Sequence, residues 1–125
     1  MPGQLSHDQL VDLAVDWCQA WSLGDLDRVM THYTDDVALC SPKVVERLSH
    51  TDGWVRGKQA LRDYFAIGLK APGVRLQFVD LMAGAGHVSI LYRRENGALV
   101  TDTAEIDAKG RARRVVACYG RPAKG

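Results

Sequence analysis

Between Leu99 and Asp107 the sequence alternates as a strand does, with Asp102, Ala104 and Ile106 on one face and Thr101, Thr103 and Glu105 on the other. Ala104 and Ile106 are apolar, so theirs is the face expected to turn inward. Aspartate is disfavoured in mid-strand. A carboxyl held among apolar groups loses hydration in its charged form, which raises its pKa and equips it as an acid or base near neutrality. The plainer alternatives are a buried structural carboxyl bonded to a backbone amide or a helix tryptophan, or simply a solvated residue at the strand start.

Other side chains could complete a site around it. Tyr119 shares a strand face with Val115 and Ala117, where its hydroxyl meets either a ligand or a core partner. Trp17, Trp21, Tyr33, Trp54 and Tyr64 would wall a pocket for a flat apolar ligand, although aromatics at helical spacing also serve as ordinary core. Arg56, just before Gly57, either holds an anionic group at the mouth or pairs with Asp52. His32 and His50 titrate near neutrality, but no nucleophile accompanies them, so both are expected at the surface or on a cavity rim.

The sequence has no His-Glu-x-x-His, Walker loop, Gly-x-Ser-x-Gly or dinucleotide fingerprint. Gly84-Ala85-Gly86 leads into a strand pattern where a phosphate cradle would lead into a helix, and is therefore a turn. Cys18, Cys40 and Cys118 are odd in number and form no Cys-x-x-Cys pair, so all three are expected to be small buried hydrophobes. Neither a metal nor an organic cofactor is expected.

The elements that must position these groups follow from pattern. Ser6 and Gln9 suit a capping box opening a first helix with Leu10, Ala14, Trp17 and Trp21 on its apolar face, ended by Gly24. Asp25 caps a short second helix expected to carry Leu26, Val29, Met30 and Tyr33 inward until Asp35-Asp36 breaks it. Val37 to Cys40 reads as a short strand, and residues 41–57 as a loop crossing with room for a turn of helix. A third helix runs from Lys58 to Lys70, stopped by Ala71-Pro72-Gly73. Four strands follow, Val74–Leu81, His87–Arg94, Leu99–Asp107 and Arg111–Gly120, with Asn96-Gly97 a strong hairpin turn. Three helices before a curved antiparallel meander make an α+β fold, a cone whose open end faces the helices. A pocket of a few hundred cubic ångströms is usual in such a place.

At 125 residues, 46% apolar and 25% charged, the chain suits one globular domain, residues 1–125. Sixteen basic against fifteen acidic residues give a net charge of +1, with no electrostatic pull toward nucleic acid or a membrane surface. No apolar run approaches the ~20 residues of a membrane helix. Met1-Pro2-Gly3-Gln4 lacks a signal-peptide pattern, so the expected location is cytoplasmic. Seven aspartates precede Cys40, while Arg111, Arg113, Arg114, Arg121 and Lys124 make the end basic, a pattern expected to decorate solvated faces.

Several of these segments together resemble a known family. Trp17-x-x-Ala20-Trp21-x-x-Gly24-Asp25-Leu26-Asp27, followed by Tyr33-x-Asp35-Asp36-Val37, resembles the opening of the nuclear transport factor 2-like superfamily. Arg56-Gly57-Lys58-x-Ala60-Leu61-Arg62-x-Tyr64-Phe65, Glu105-Ile106-Asp107-x-x-Gly110 and Ala117-Cys118-Tyr119-Gly120 continue it from about Leu10 to Gly120. Relatives include SnoaL-like polyketide cyclases, ketosteroid isomerases and limonene epoxide hydrolases. The resemblance implies a cone with a central pocket, often a homodimer joined through the sheets, and acid–base chemistry without cofactors. These motifs are caps, turns and packing positions, so they carry the fold rather than the reaction.

By that resemblance, Ser41 falls where a steroid isomerase carries its aspartate base, and Trp17 where it carries the tyrosine donor to the oxyanion. Asp102 falls where it keeps a protonated aspartic acid. An unpartnered serine is a poor base and an indole N–H a weaker donor than a phenol, so the standard steroid mechanism is not expected. Two readings stay open. One is a cofactor-free isomerase, cyclase, dehydratase or hydrolase of an apolar cyclic ligand, with Asp102 moving the proton and Tyr119 or Ser41 assisting. The other is a non-catalytic ligand-binding or dimerisation module built on the same cone.

Overall fold

Ser6 starts the first element as its sequence context demands. Its side chain accepts from the Gln9 N–H at 3.1 Å while Gln9 Oε1 accepts from the Ser6 N–H at 2.8 Å, closing a capping box on α1 (His7–Leu23). Gly24, at φ 70°, ends α1 in the left-handed conformation that glycine adopts without a Cβ penalty. The Asp25 carboxylate then accepts from the Arg28 N–H and caps α2 (Leu26–Met30). The structure, a computed structural model, describes residues 4–50 and 52–123. Met1, Pro2 and Gly3, on which the cytoplasmic expectation drew, and Lys124 of the basic end lie outside the described residues.

Tyr33 does not continue the second helix. It opens β1 (Tyr33–Cys40), where backbone pairing outweighs the helical spacing of its side chain, and the Ala112 N–H donates to the His32 carbonyl at 2.8 Å just before it. Asp35 and Asp36 are exposed where the pairing of β1 shifts register between Tyr33 and Ala38; they mark an irregularity in a strand and not the end of a helix.

The crossing that follows is more ordered than its sequence suggests. Ser41 Oγ accepts from the Lys43 N–H at 3.1 Å and, with Pro42 at the first helical position, starts α3 (Pro42–Leu48). A three-residue strand, β2 (Trp54–Arg56), precedes α4 (Lys58–Leu69). The described residues thus hold four helices where the sequence pattern indicated three.

Strands β3 (Leu76–Gly84), β4 (His87–Arg94), β5 (Leu99–Ile106) and β6 (Ala112–Tyr119) form the expected antiparallel meander. The six-stranded sheet has the order β2-β1-β6-β5-β4-β3, with β1 parallel to β6 and β2 antiparallel at the edge. Register shifts at Phe78/Asp80 in β3 and Glu105/Ile106 in β5 bend the sheet. The result is an α+β architecture with a curved, unclosed sheet.

Helices α1 and α4 pack against the concave face. Val29, Val37, Val44, Leu61 and Val100 are fully buried there, each stabilising the fold by roughly 1.5–3 kcal/mol of apolar burial. The three cysteines part company. Cys18 is buried in α1, and burial pushes its thiol up to about 12, as suits a core residue. Cys40 is only half-buried and Cys118 is exposed, contrary to the uniform expectation. Alternation explains Cys118: Ala117 and Tyr119 turn inward, so the residue between them must turn out. Among the described residues, no helix is long and apolar enough to cross a membrane.

Candidate functional site

Asp102 lies near the middle of β5, opposite Ile90 of β4 and Ala117 of β6. The residue is 6% exposed, and the alternation expected for Asp102, Ala104 and Ile106 holds: the first two are buried and Ile106 packs against the core. Among the described residues one hydrogen bond reaches the carboxyl, from the Tyr92 hydroxyl to Oδ1 at 3.0 Å. Loss of hydration dominates and raises the carboxyl pKa from 3.8 to about 7, with the Tyr92 bond and the Arg94 charge pulling the other way. The group therefore exchanges its proton near neutrality.

Two cavities flank Asp102 where a single hollow of a few hundred cubic ångströms was expected, and Trp17 and Asp102 line both. The first, toward the α1 N-terminal half, has about 50 Å³ of room for the centre of a water-sized sphere and walls such as Leu10, Val88 and Ile106, with His32 at its polar side. The second, between α1, α4 and the ends of β4 and β6, has about 40 Å³ of such room. One water needs roughly 10–15 Å³ on this measure, so a ring-sized ligand enters either space only if wall side chains shift. The aromatic side chains fill much of the cone: Trp17 packs edge-on to Tyr92 at 5.2 Å, and Trp21 edge-on to Phe65 at 4.8 Å.

The second cavity is the more polar. Ser41, Tyr64, Tyr119, Arg47 and Arg94 line it together with Trp21 and Asp102. The Ser41 hydroxyl lies beside the phenols of Tyr64 and Tyr119. Burial raises both phenol pKa values above 10, so both are neutral donors at physiological pH. The structure therefore brings Asp102, Tyr119 and Ser41 to one cavity, with Trp17, Trp21 and Tyr64 among its walls, while Tyr33 lines the other cavity. The Trp17 indole N–H is committed inside the protein, donating to the Tyr33 hydroxyl at 2.8 Å.

Trp54 and Arg56 lie elsewhere. Val55 between them is buried, so alternation along β2 turns both outward, into a shallow groove with His50 and Asp52. Arg56 Nη1 stands 3.3 Å from Asp52, the acid pairing foreseen for it, and the Arg56 and Arg114 guanidinium groups lie 5.6 and 4.5 Å from the Trp54 ring centroid. Neither residue lines the cavities at Asp102. His50 is exposed there too, whereas His32 is half-buried at a cavity edge with Nε2 2.8 Å from Asp16.

Tyr92, Arg47 and Arg94 belong to the site and were not singled out in sequence. Tyr92 shares its strand face with Val88 and Ile90, a signal that was present. Arg47 rides on α3, a helix the sequence pattern left undefined. Among the described residues, no three His, Cys, Asp or Glu side chains converge as a metal-binding group.

The family model of the SnoaL-like domain matches residues 14–120, a span that takes in α1 from Ala14 onward, the whole sheet and every cavity residue just named except Leu10. The chain belongs to the SnoaL-like family. A SnoaL-like protein of unknown function from Burkholderia thailandensis is similar over 94% of this chain and 99% of its own, at 25% identity and a TM-score of 0.88. An NTF-2-like protein of unknown function from Burkholderia xenovorans is 15% identical over 94% of this chain and 88% of its own, with a TM-score of 0.71. A Kribbella flavida protein put forward as a ketosteroid isomerase is 13% identical over 95% of this chain and 83% of its own, with a TM-score of 0.70. The last two share the fold of this SnoaL-like domain and, at such identity, say nothing of its reaction. No curated protein matches the chain.

Proposed function

We propose that this SnoaL-like protein binds a small, largely apolar cyclic molecule over Asp102 and that Asp102 transfers a proton to or from it without a cofactor. The supporting observation is a single carboxyl, buried between two cavities, bonded once and titrating near pH 7. Such a group is neutral often enough to act as an acid and ionised often enough to act as a base. Isomerisation, cyclisation, dehydration and hydrolysis are the reaction types it serves. Tyr119 and Ser41 assist by donating hydrogen bonds to the oxygen where charge develops, and Trp17, Trp21, Tyr33 and Tyr64 supply apolar walls.

The standard ketosteroid mechanism is set aside on chemistry. A serine stands at the expected base, and its hydroxyl already accepts the cap bond of α3. The Trp17 donor is already spent on Tyr33. The same two facts favour a second reading, a binding module that holds a ligand without converting it. On either reading, residues 1–125 act as one cytoplasmic domain that pairs with a second copy through the outer sheet face bearing Thr101, Thr103 and Glu105.

A thermal-shift screen of steroids, terpenes and polyketide-like aromatics, with product analysis of every hit, separates the readings. Conversion lost in Asp102→Asn with folding retained supports catalysis. Ligands that stabilise the protein but emerge unaltered support the binding module, and unchanged conversion in Asp102→Asn removes Asp102 from the chemistry.

A further inference from the structure

Two guanidinium groups, those of Arg47 and Arg94, border the cavity between α1 and α4. Among the described residues no carboxylate lies within 4 Å of Arg47, which stacks 5.6 Å from the Tyr64 ring centroid. Gly68 of α4 leaves room for it: a Cβ added there would stand 2.9 Å from Arg47 Nη1, in the space that the guanidinium occupies. Arg94 is held differently. Its Nε and Nη2 donate to Glu95 at 3.1 and 3.2 Å, which orients the group and leaves Nη1 without a hydrogen-bond partner among the described residues. Burial raises the Tyr119 pKa and both guanidinium charges pull it back, and all three side chains line the same cavity, the arginines from the helical and the sheet side.

Trp21 lines the same cavity. Trp21 is 9% exposed, and its indole Nε1 is a buried donor with no partner among the described residues. An unpaired buried donor is costly to the fold, and a ligand acceptor removes that cost. The wall thus presents donors in excess, from Arg47, Arg94, Tyr119 and Trp21. Arginine is the side chain suited to a planar, two-oxygen acceptor.

We infer that the ligand of this cavity carries a carboxylate or a similar planar anion, held at the mouth by Arg47 and Arg94, with its apolar body directed toward Asp102. This rests on the reading of the cavity as a binding site and narrows the substrate class to an acid with an apolar ring. The anionic group supplies the orientation that the aromatic walls alone lack. It is also the counter-charge that Arg47 does not find among the described residues.

Calorimetric titration of the full chain with 2-naphthoate and with the isosteric, uncharged 2-naphthamide tests the inference. The expected result is that the carboxylate binds at least about tenfold tighter than the amide. In Arg47→Gln/Arg94→Gln that preference falls below about threefold. Gly68→Ala, which retains the charge of Arg47 but moves it, weakens naphthoate more than naphthamide. Should the double variant not fold, Arg47→Gln alone, at an exposed helix position, still reduces the preference. Equal affinity of the wild type for both probes, tighter binding of the amide, or a preference untouched by Arg47→Gln overturns the anion site while leaving the cavity reading intact. Binding of neither probe at millimolar concentration overturns both.

Discussion

The Tyr92 hydroxyl donates to Asp102 Oδ1 at 3.0 Å, from neighbouring strands, with both residues buried. Tyr92 is opposite Val100 and Asp102 is opposite Ile90, so the two side chains meet diagonally across the concave face of the sheet. The phenol is the only hydrogen-bond donor to this carboxyl among the described residues, which is why burial prevails and the acid is weak.

Stability should therefore depend on pH through Asp102. An unfolded aspartate titrates near 3.9, while the folded one titrates near 7. Between those values the folded protein binds the extra proton, so this contribution is complete below about pH 4 and is lost as pH rises through 7. Asp102→Asn removes the titration. Its stability relative to the wild type should improve by about 3 kcal/mol from pH 5 to pH 8, a widening of roughly 10 °C in Tm. Melting curves of both proteins at the two pH values check this. A gap that stays constant with pH refutes it.

Tyr92→Phe removes the one bond that favours ionised Asp102. The carboxyl should then titrate higher than in the wild type, by roughly one pH unit. Any pH–rate profile governed by Asp102 should move with it. Carboxyl carbon NMR of the variant reads the change directly, and a midpoint that moves down contradicts it.

Trp17 joins α1 to β1 through its bond to Tyr33 and fills the space between the two cavities. Trp17→Phe leaves the Tyr33 hydroxyl without that donor and enlarges the void beside Asp102. A loss of about 2–4 kcal/mol is expected in urea denaturation. A loss below about 0.5 kcal/mol would mean that this bond and this packing matter little.

The outer sheet face carries Val116 and Leu99, each 39% exposed, beside the expected contact residues Thr101, Thr103 and Glu105. Light scattering at high micromolar concentration should give the mass of two chains, and Val116→Glu should give one. A monomeric wild type contradicts the pairing.

Much of the site was legible because strand alternation is a short-range rule. Leu99 to Asp107 placed Asp102 inward, and Ser6, Gly24 and Asp25 marked helix ends through cap chemistry that acts within three residues. What escaped depends on long-range pairing. Tyr33 has helical spacing with Val29 and Met30, yet joins the sheet because β6, some eighty positions later, pairs with β1. Pro42–Leu48 has little apolar period of its own, so neither α3 nor Arg47 at the cavity mouth could be assigned. Trp54 has the composition of a pocket wall, but the inward turn of Val55 sends it to the opposite face. The division of the hollow into two follows from how Trp17 and Tyr92 pack edge to face, which spacing alone does not encode.

Titration of the Asp102 carboxyl carbon in the wild-type protein by NMR tests the central claim most directly. A midpoint near 7 is the expected result. A midpoint near 4, the value of a hydrated aspartate, would mean that water reaches the group freely, and would contradict a proton-transfer site at this position.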